Sequence, residues 1–200
     1  MVRHAENEYL QAGRMAGRAA GVHLNENGRK QALELAENLA RWPVNAVYSS
    51  PLERTMETAQ PIAEGLGLQV AARAGLIETD VGEWQDKTLK SLRRRRLWRR
   101  VQTSPSRFRF PEGESLSSAQ MRIVAELEEI LASHKPRDMI VCVSHSDPIK
   151  LAVAYYAGMA LDLFQRIIVS PASVSALQFG ESSVRLLMLN YRFSINLKKF

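Results

Sequence analysis

Five side chains in this sequence have the types and placement to move a phosphoryl group through a histidine: Arg3, His4, Arg54, Glu78 and His145. Alone, Arg3-His4 is a dipeptide that chance supplies in many proteins. It gains meaning from Arg54 in Tyr48-Ser49-Ser50-Pro51-Leu52-Glu53-Arg54, Glu78 in Leu76-Ile77-Glu78 and His145 in Val143-Ser144-His145. Two imidazoles, two guanidiniums and one carboxylate are a kit for phosphoryl transfer, provided the chain brings them together.

The elements that must do so are legible in part. Arg3-His4 is expected at the C-terminal end of a strand, and only Met1-Val2 precede it. Either that strand is abbreviated or its start lies several residues upstream. Gly13, Gly17 and Gly21 punctuate a loop. Asn25-Glu26-Asn27-Gly28 opens a helix whose Ala32, Leu35, Ala36 and Leu39 recur at helical spacing, closed by Pro43. Ala46-Val47-Tyr48 reads as a strand. Ser49-Ser50-Pro51 reads as a helix start with Ser at the N-cap and Pro at N1, the helix stopping at Gly67. A short strand is expected at Gln69-Val70-Ala71. The stretch 88–112 is irregular, with a short basic helix around Leu89, Leu92 and the arginines. Leu116, Ile123, Val124, Leu127 and Leu131 mark an amphipathic helix. Met139 to Val143 is a continuous apolar run, as in a parallel strand covered on both faces. Asp147-Pro148 is expected to open the next helix with Asp as its N-cap. Ile167-Ile168-Val169, Ser173–Phe179 and Val184–Leu189 read as strands, the last two joined by a turn at Gly180-Glu181-Ser182-Ser183. The alternation predicts an α/β fold, a three-layer α/β/α sandwich with a mostly parallel sheet and antiparallel C-terminal strands. A single domain over residues 1–200 is expected, carrying a basic lid-like insertion at about 84–113.

Composition narrows the classes. The chain has 200 residues, 46% of them hydrophobic and 24% charged, which suits an ordinary globular protein. No apolar run reaches the length of a membrane span, and no signal-peptide h-region shows at the start. The one cysteine, Cys142, cannot make an internal disulfide, so a buried structural thiol in a reducing cytoplasm is expected. The net charge of +6 and pI near 9.7 admit two partners, a nucleic acid or an anionic small molecule concentrated at a cleft. Much of the excess lies in Arg93-Arg94-Arg95-Arg96 and Arg99-Arg100, without the aromatic interleaving or helix-turn-helix pattern of a nucleic-acid reader.

In an open α/β sheet, ligands gather outside the carboxyl ends of the strands. Arg3-His4, Ser49–Arg54, Ser144-His145 and Glu78 each follow a predicted strand, so all are expected at one sheet edge. With Gly82-Glu83-Trp84 and Gly113-Glu114-Ser115, these motifs in this order resemble the histidine phosphatase superfamily, the phosphoglycerate-mutase-like proteins. The resemblance spans residues 2–150. Asn7-Glu8-Tyr9, Phe110–Ser115 and Pro171–Ser175 resemble a bacterial subgroup labelled phosphomutases.

The resemblance implies roles. His4 is the expected nucleophile, neutral when it attacks, forming a phosphohistidine. Arg3, Arg54 and His145 are the expected phosphate donors, His145 also stabilising the transferring oxygens. Glu78 is the expected acid for the leaving oxygen and then the base for water, with Asp80 and Glu83 as competing carboxylates. His23 and His134 read as plain surface residues. No metal is implied, and a bisphosphate primer is needed only by a mutase. Two departures stand out: Ala5 replaces the usual Gly after the histidine, and Leu10 occupies a position where the family often carries Asn, for which Asn7 is the nearest substitute.

Hydrolysis of a small-molecule phosphomonoester is the expectation, because the segment between Glu78 and Glu114 is a modest lid for excluding water. Phosphoglycerate-mutase-type transfer is the alternative, and a non-catalytic polyanion- or phosphometabolite-binding protein is the alternative of another class. The arginine run reads either as a solvated face over inward Leu89, Leu92, Leu97 and Trp98, or as a recruiter of polyanionic substrate. The expected partner is a phosphorylated small molecule, with no nucleic acid and no membrane, and the oligomeric state is open.

Overall fold

The protein is described by a computed structural model that covers residues 1–193. Strands β1 (Val2–Arg3), β2 (Val44–Ser49), β3 (Val70–Ala72), β4 (Met139–Ser144), β5 (Val174–Phe179) and β6 (Val184–Tyr191) form one sheet in the order β3-β2-β4-β1-β5-β6. The pairs β3–β2, β2–β4 and β4–β1 are parallel, whereas β5 runs antiparallel to both β1 and β6. The mixed sheet and its antiparallel C-terminal strands are as the alternation predicts.

The apolar run of β4 serves two cores at once, because side chains alternate across a strand. Val141 and Val143 face a cluster with Leu35, Leu39, Ile62 and Ala63, from α2 (Glu26–Leu39) and α3 (Glu53–Leu66). Ile140 and Cys142 face the opposite cluster, with Ile123, Leu127, Ile149 and Ala152 from α6 (Leu116–Ala132) and α7 (Ser146–Tyr156). Local chemistry sets the helix ends. Asn25 caps α2 by accepting from the Gly28 amide at 2.8 Å, and Ser115 caps α6 through the Ser118 amide at 3.1 Å. Gly67 ends α3 with φ of 67°, a left-handed conformation glycine adopts without strain. Truncating the fully buried Ile123 to alanine is worth about 2–5 kcal/mol.

Three expected elements differ. Ile167-Ile168-Val169 is not a strand. Its alternation is real, Ile167 and Val169 being buried and Ile168 64% exposed. Side chains meet its backbone instead of a ladder: Val169 accepts from Arg3 Nη1 at 2.6 Å, and the Ser170 amide donates to Asn190 Oδ1 at 2.6 Å. Helix α3 starts at Glu53 with Leu52 as N-cap, not at Ser49-Ser50-Pro51; the Ser50 hydroxyl lies 2.8 Å from His145 Nε2 and accepts from the Leu52 amide at the longer distance of 3.4 Å. Helix α7 starts at Ser146 with His145 as N-cap, so Asp147 lies inside its first turn. The Gly-punctuated loop also contains a single turn, α1 (Glu8–Gln11), capped by Asn7.

Between residues 84 and 113 the basic helix resolves into α4 (Leu89–Leu92) and α5 (Arg96–Thr103). Trp84 stacks on Trp98 with centroids 6.0 Å apart and meets Phe108 and Phe110, with Leu92 and Val101 buried in the same cluster. Arg93 to Arg96, Arg99 and Arg100 are exposed. No described helix is long and apolar enough to cross a membrane.

Candidate active site

The register of the sheet places the two histidines side by side. Arg3 pairs with Ser144 across the parallel β1–β4 ladder, so His4 and His145 leave adjacent strands at the same height. Ser49 pairs with Val143 on the other side of β4, which brings Ser50 level with Ser144, one residue before His145. The site therefore opens where chain connections diverge from the central strand, the usual place for a ligand in such sheets.

His4 is 4% exposed, and its Nδ1 lies 2.8 Å from the Ala5 carbonyl. A carbonyl only accepts, so Nδ1 carries the proton and Nε2 keeps its lone pair. Burial first, then the Arg3 and Arg54 charges, hold this imidazole well below its usual pKa and therefore neutral. The methyl of Ala5 is fully buried, and the Ala5 amide donates to Thr58 Oγ1 at 3.0 Å, which in turn donates to the Arg54 carbonyl at 2.7 Å.

His145 is fully buried, with Nε2 2.8 Å from Ser50 Oγ. Among the described residues its Nδ1 has no hydrogen-bond partner, and it lies 4.0 Å from Glu78 Oε2. Burial and the Arg54, His4 and Arg3 charges likewise push its pKa well down. A neutral ring accepting from the Ser50 hydroxyl at Nε2 leaves the Nδ1 proton free to donate.

Arg54 is 1% exposed, a burial a guanidinium tolerates only where its donors are used. Nη2 donates to the Gly17 carbonyl at 2.7 Å, while Nε and Nη1 are buried without a partner among the described residues. Arg3 repeats the pattern, Nη1 on Val169 and Nε without a partner among the same residues. These orphaned donors and His145 Nδ1 make a cationic cradle suited to an anion that brings several acceptor oxygens. Among the described residues no group of three or more His, Cys, Asp or Glu is arranged to hold a metal.

Glu78 faces the same cradle. Its side chain is 17% exposed, Oε1 accepts from the Thr79 amide at 2.9 Å, and burial with the charge of Asp147 pushes its pKa up to about 7. Of the competing carboxylates, Asp80 pairs with Arg18 at 3.6 Å and caps the Gly82 amide at 3.0 Å, and Glu83 is exposed. The structure thus brings His4, Arg3, Arg54, Glu78 and His145 to one place.

Several neighbours escape sequence reasoning. Ser50 holds His145, Asp147 adds negative charge beside Glu78, and Arg18 donates to the Glu78 carbonyl at 2.8 Å. The one signal for Arg18 is an arginine directly after Gly17 in a segment read only as loop. Asn7 is buried at 1% exposure, with Oδ1 capping α1 and Nδ2 unpartnered. His23 is exposed and paired with Glu57. His134 is not a plain surface residue: its Nε2 lies 2.9 Å from the Tyr48 hydroxyl and its Nδ1 3.2 Å from Asp138, with the side chain 15% exposed.

Comparison with known proteins gives the family. The family model described as "Histidine phosphatase superfamily (branch 1)" matches residues 1–192. "Phosphoserine phosphatase 1" of Hydrogenobacter thermophilus is 35% identical over 95% of this chain and 90% of its own length. "Probable phosphoglycerate mutase GpmB" of Klebsiella pneumoniae is 29% identical over 91% of this chain and 85% of its own. Among solved structures, a phosphoserine phosphatase mutant from Entamoeba histolytica in complex with phosphoserine superposes with a TM-score of 0.85 at 25% identity, covering 94% of each chain.

Proposed function

Because this chain belongs to the histidine phosphatase superfamily, we propose that His4, Arg3, Arg54, Glu78 and His145 carry out the hydrolysis of a small phosphomonoester with an alkyl leaving group. The family and the relatives make it an enzyme of phosphoryl transfer. The observation that carries the residue roles is the 2.8 Å contact from His4 Nδ1 to the Ala5 carbonyl, which fixes the tautomer that leaves Nε2 nucleophilic.

Nε2 of His4 attacks phosphorus as the P–O bond to the leaving group breaks. Arg3 Nε, Arg54 Nε and Nη1 and His145 Nδ1 bind the equatorial oxygens, where donors aimed at developing charge contribute most. Glu78 in its acid form protonates the departing alkoxide. The resulting carboxylate then takes a proton from water as that water attacks the phosphohistidine, breaking P–N and restoring neutral His4. Phosphoserine is the kind of substrate named for the relatives above, and a small anionic phosphometabolite suits the net positive chain. A reducing cytoplasm suits the buried Cys142, whose thiol pKa burial raises to about 11. The mutase reading is favoured by the resemblance to the Klebsiella protein and differs only in the acceptor that meets the phosphohistidine.

The test is turnover of a phosphomonoester panel by wild type and His4→Ala, with a chelator present, repeated with and without a bisphosphate primer. Inorganic phosphate released by wild type alone, independent of primer, supports hydrolysis. Equal rates for the two proteins end the proposal, and primer-dependent isomerisation without phosphate release selects the mutase.

A further inference from the structure

Among the described residues the Glu78 carboxylate has one hydrogen bond, from the Thr79 amide, so its height over the cradle depends on where its backbone is held. Two guanidiniums hold it. Arg18 Nε donates to the Glu78 carbonyl at 2.8 Å, and Arg122 Nη2 reaches the same oxygen at 3.5 Å. Arg122 Nη1 also takes the Gly75 and Ile77 carbonyls at 2.7 and 2.9 Å, gripping the segment that leads into Glu78. Both arginines converge on one carboxylate: Glu114 Oε1 accepts from Arg18 Nη2 at 3.0 Å, from Arg122 Nη2 at 2.7 Å and from the Asp80 amide at 2.8 Å. The two loops meet backbone to backbone, the Glu114 amide donating to the Asp80 carbonyl at 3.0 Å, and a Cβ on Gly82 or Gly113 would collide with the facing chain.

We propose that Arg18, Arg122 and Glu114 are positioning residues that set the acid Glu78 against the leaving oxygen, an inference that rests on the reading of Glu78 given above. The strap at Gly17-Arg18 ties this clamp to the phosphate site, since the Gly17 carbonyl anchors Arg54 while its neighbour anchors Glu78. Gly17 has φ of 54°, and a Cβ there would lie 2.7 Å from Val81 Cγ2, so a side chain at this position would strain the strap that carries both anchors. Glu114 cancels one of the two guanidinium charges and joins three chain segments far apart in sequence.

The contrast that isolates positioning of an acid is its dependence on the leaving group. Phosphoserine departs as an alkoxide and needs the proton, whereas 2,4-dinitrophenyl phosphate departs as a stable phenolate and does not. The measurement is kcat/KM for both substrates, which reports the steps up to leaving-group departure, in wild type, Arg18→Ala, Glu114→Gln and Glu78→Gln. For Arg18→Ala and Glu114→Gln the alkyl phosphate is expected to lose about 10- to 100-fold, the scale of a misplaced catalytic group, and the aryl phosphate far less. Glu78→Gln is expected to show the same contrast more strongly. Equal losses on both substrates, or none on either, while Glu78→Gln keeps the contrast, overturn the clamp. No contrast in Glu78→Gln overturns the acid assignment and the clamp with it. Arg18, 30% exposed, decides the question if Glu114→Gln does not fold.

Discussion

The rings of His4 and His145 meet edge to face, with centroids 5.2 Å apart and planes inclined by 63°. Each is anchored through one nitrogen, His4 to the Ala5 carbonyl and His145 to the Ser50 hydroxyl. The other nitrogen of each is therefore left for the phosphorus atom and its oxygens. Two charged imidazoles at this separation would repel each other and the nearby Arg3 and Arg54, so both rings are held neutral. His145→Gln is expected to fold and bind substrate but to lose about 100- to 1,000-fold in kcat, the usual consequence of removing one transition-state donor. Steady-state kinetics beside a melting curve separates this from unfolding.

Glu78 titrates near pH 7 because burial and Asp147 disfavour its charge. Its acid form is present below that pH and lost above it, so kcat/KM for an alkyl phosphate is expected to fall about tenfold per unit above the limb. The rise on the acid side includes formation of the substrate dianion near pH 6. Glu78→Gln is expected to abolish the alkaline limb. A wild-type profile flat from pH 6 to 9 contradicts the assignment.

Arg54 donates from Nη2 to Gly17, and its Nε and Nη1 are buried without a partner among the described residues, which suits the proposed phosphate contact. A lysine has one nitrogen for both tasks and no fork. Losing a hydrogen bond to a charged group is worth about 1.5–3 kcal/mol, so Arg54→Lys is expected to lower kcat/KM about 10- to 100-fold. Vanadate or phosphate affinity by titration calorimetry is expected to fall in parallel. Unchanged affinity removes Arg54 from the cradle.

Arg93 to Arg96, Arg99 and Arg100 are exposed, while Trp98 stacks inward on Trp84. Arg95→Glu with Arg96→Glu is expected to change stability by no more than about 0.5 kcal/mol per substitution, as for surface positions without buried partners. KM for a bisphosphate or nucleotide substrate is expected to rise if these side chains recruit polyanions, and to hold constant if they are a solvated face. Thermal melts and a substrate panel on the double variant read both.

How much of the site was legible follows from range in sequence. Ser144-His145 and the Ser49–Arg54 turn each follow a strand whose apolar pattern is local, so their shared edge could be read from the chain, whereas the two-residue β1 beside His4 offers no such pattern. The Asn25 and Gly67 helix ends were equally local. The start of α3 was misread because Ser50, a good N-cap by type, has a better partner in His145. Ile167–Val169 was misread because alternation reports burial and does not require a ladder. His134 was misread because nothing near it in sequence announces the Tyr48 hydroxyl.

The amino-acid sequence by itself determined the chemistry available: a neutral-capable imidazole pair, two guanidiniums and a carboxyl group, each in a segment that ends or follows a strand. Only the tertiary structure decided which nitrogen of each histidine is free, that Glu78 is the carboxylate facing His145, and that Arg18, Arg122 and Glu114 hold it there. Those outcomes depend on hydrogen bonds between segments distant along the chain, such as Arg18 with Glu114 and Ser50 with His145. Their partners are chosen by packing, which no local pattern encodes.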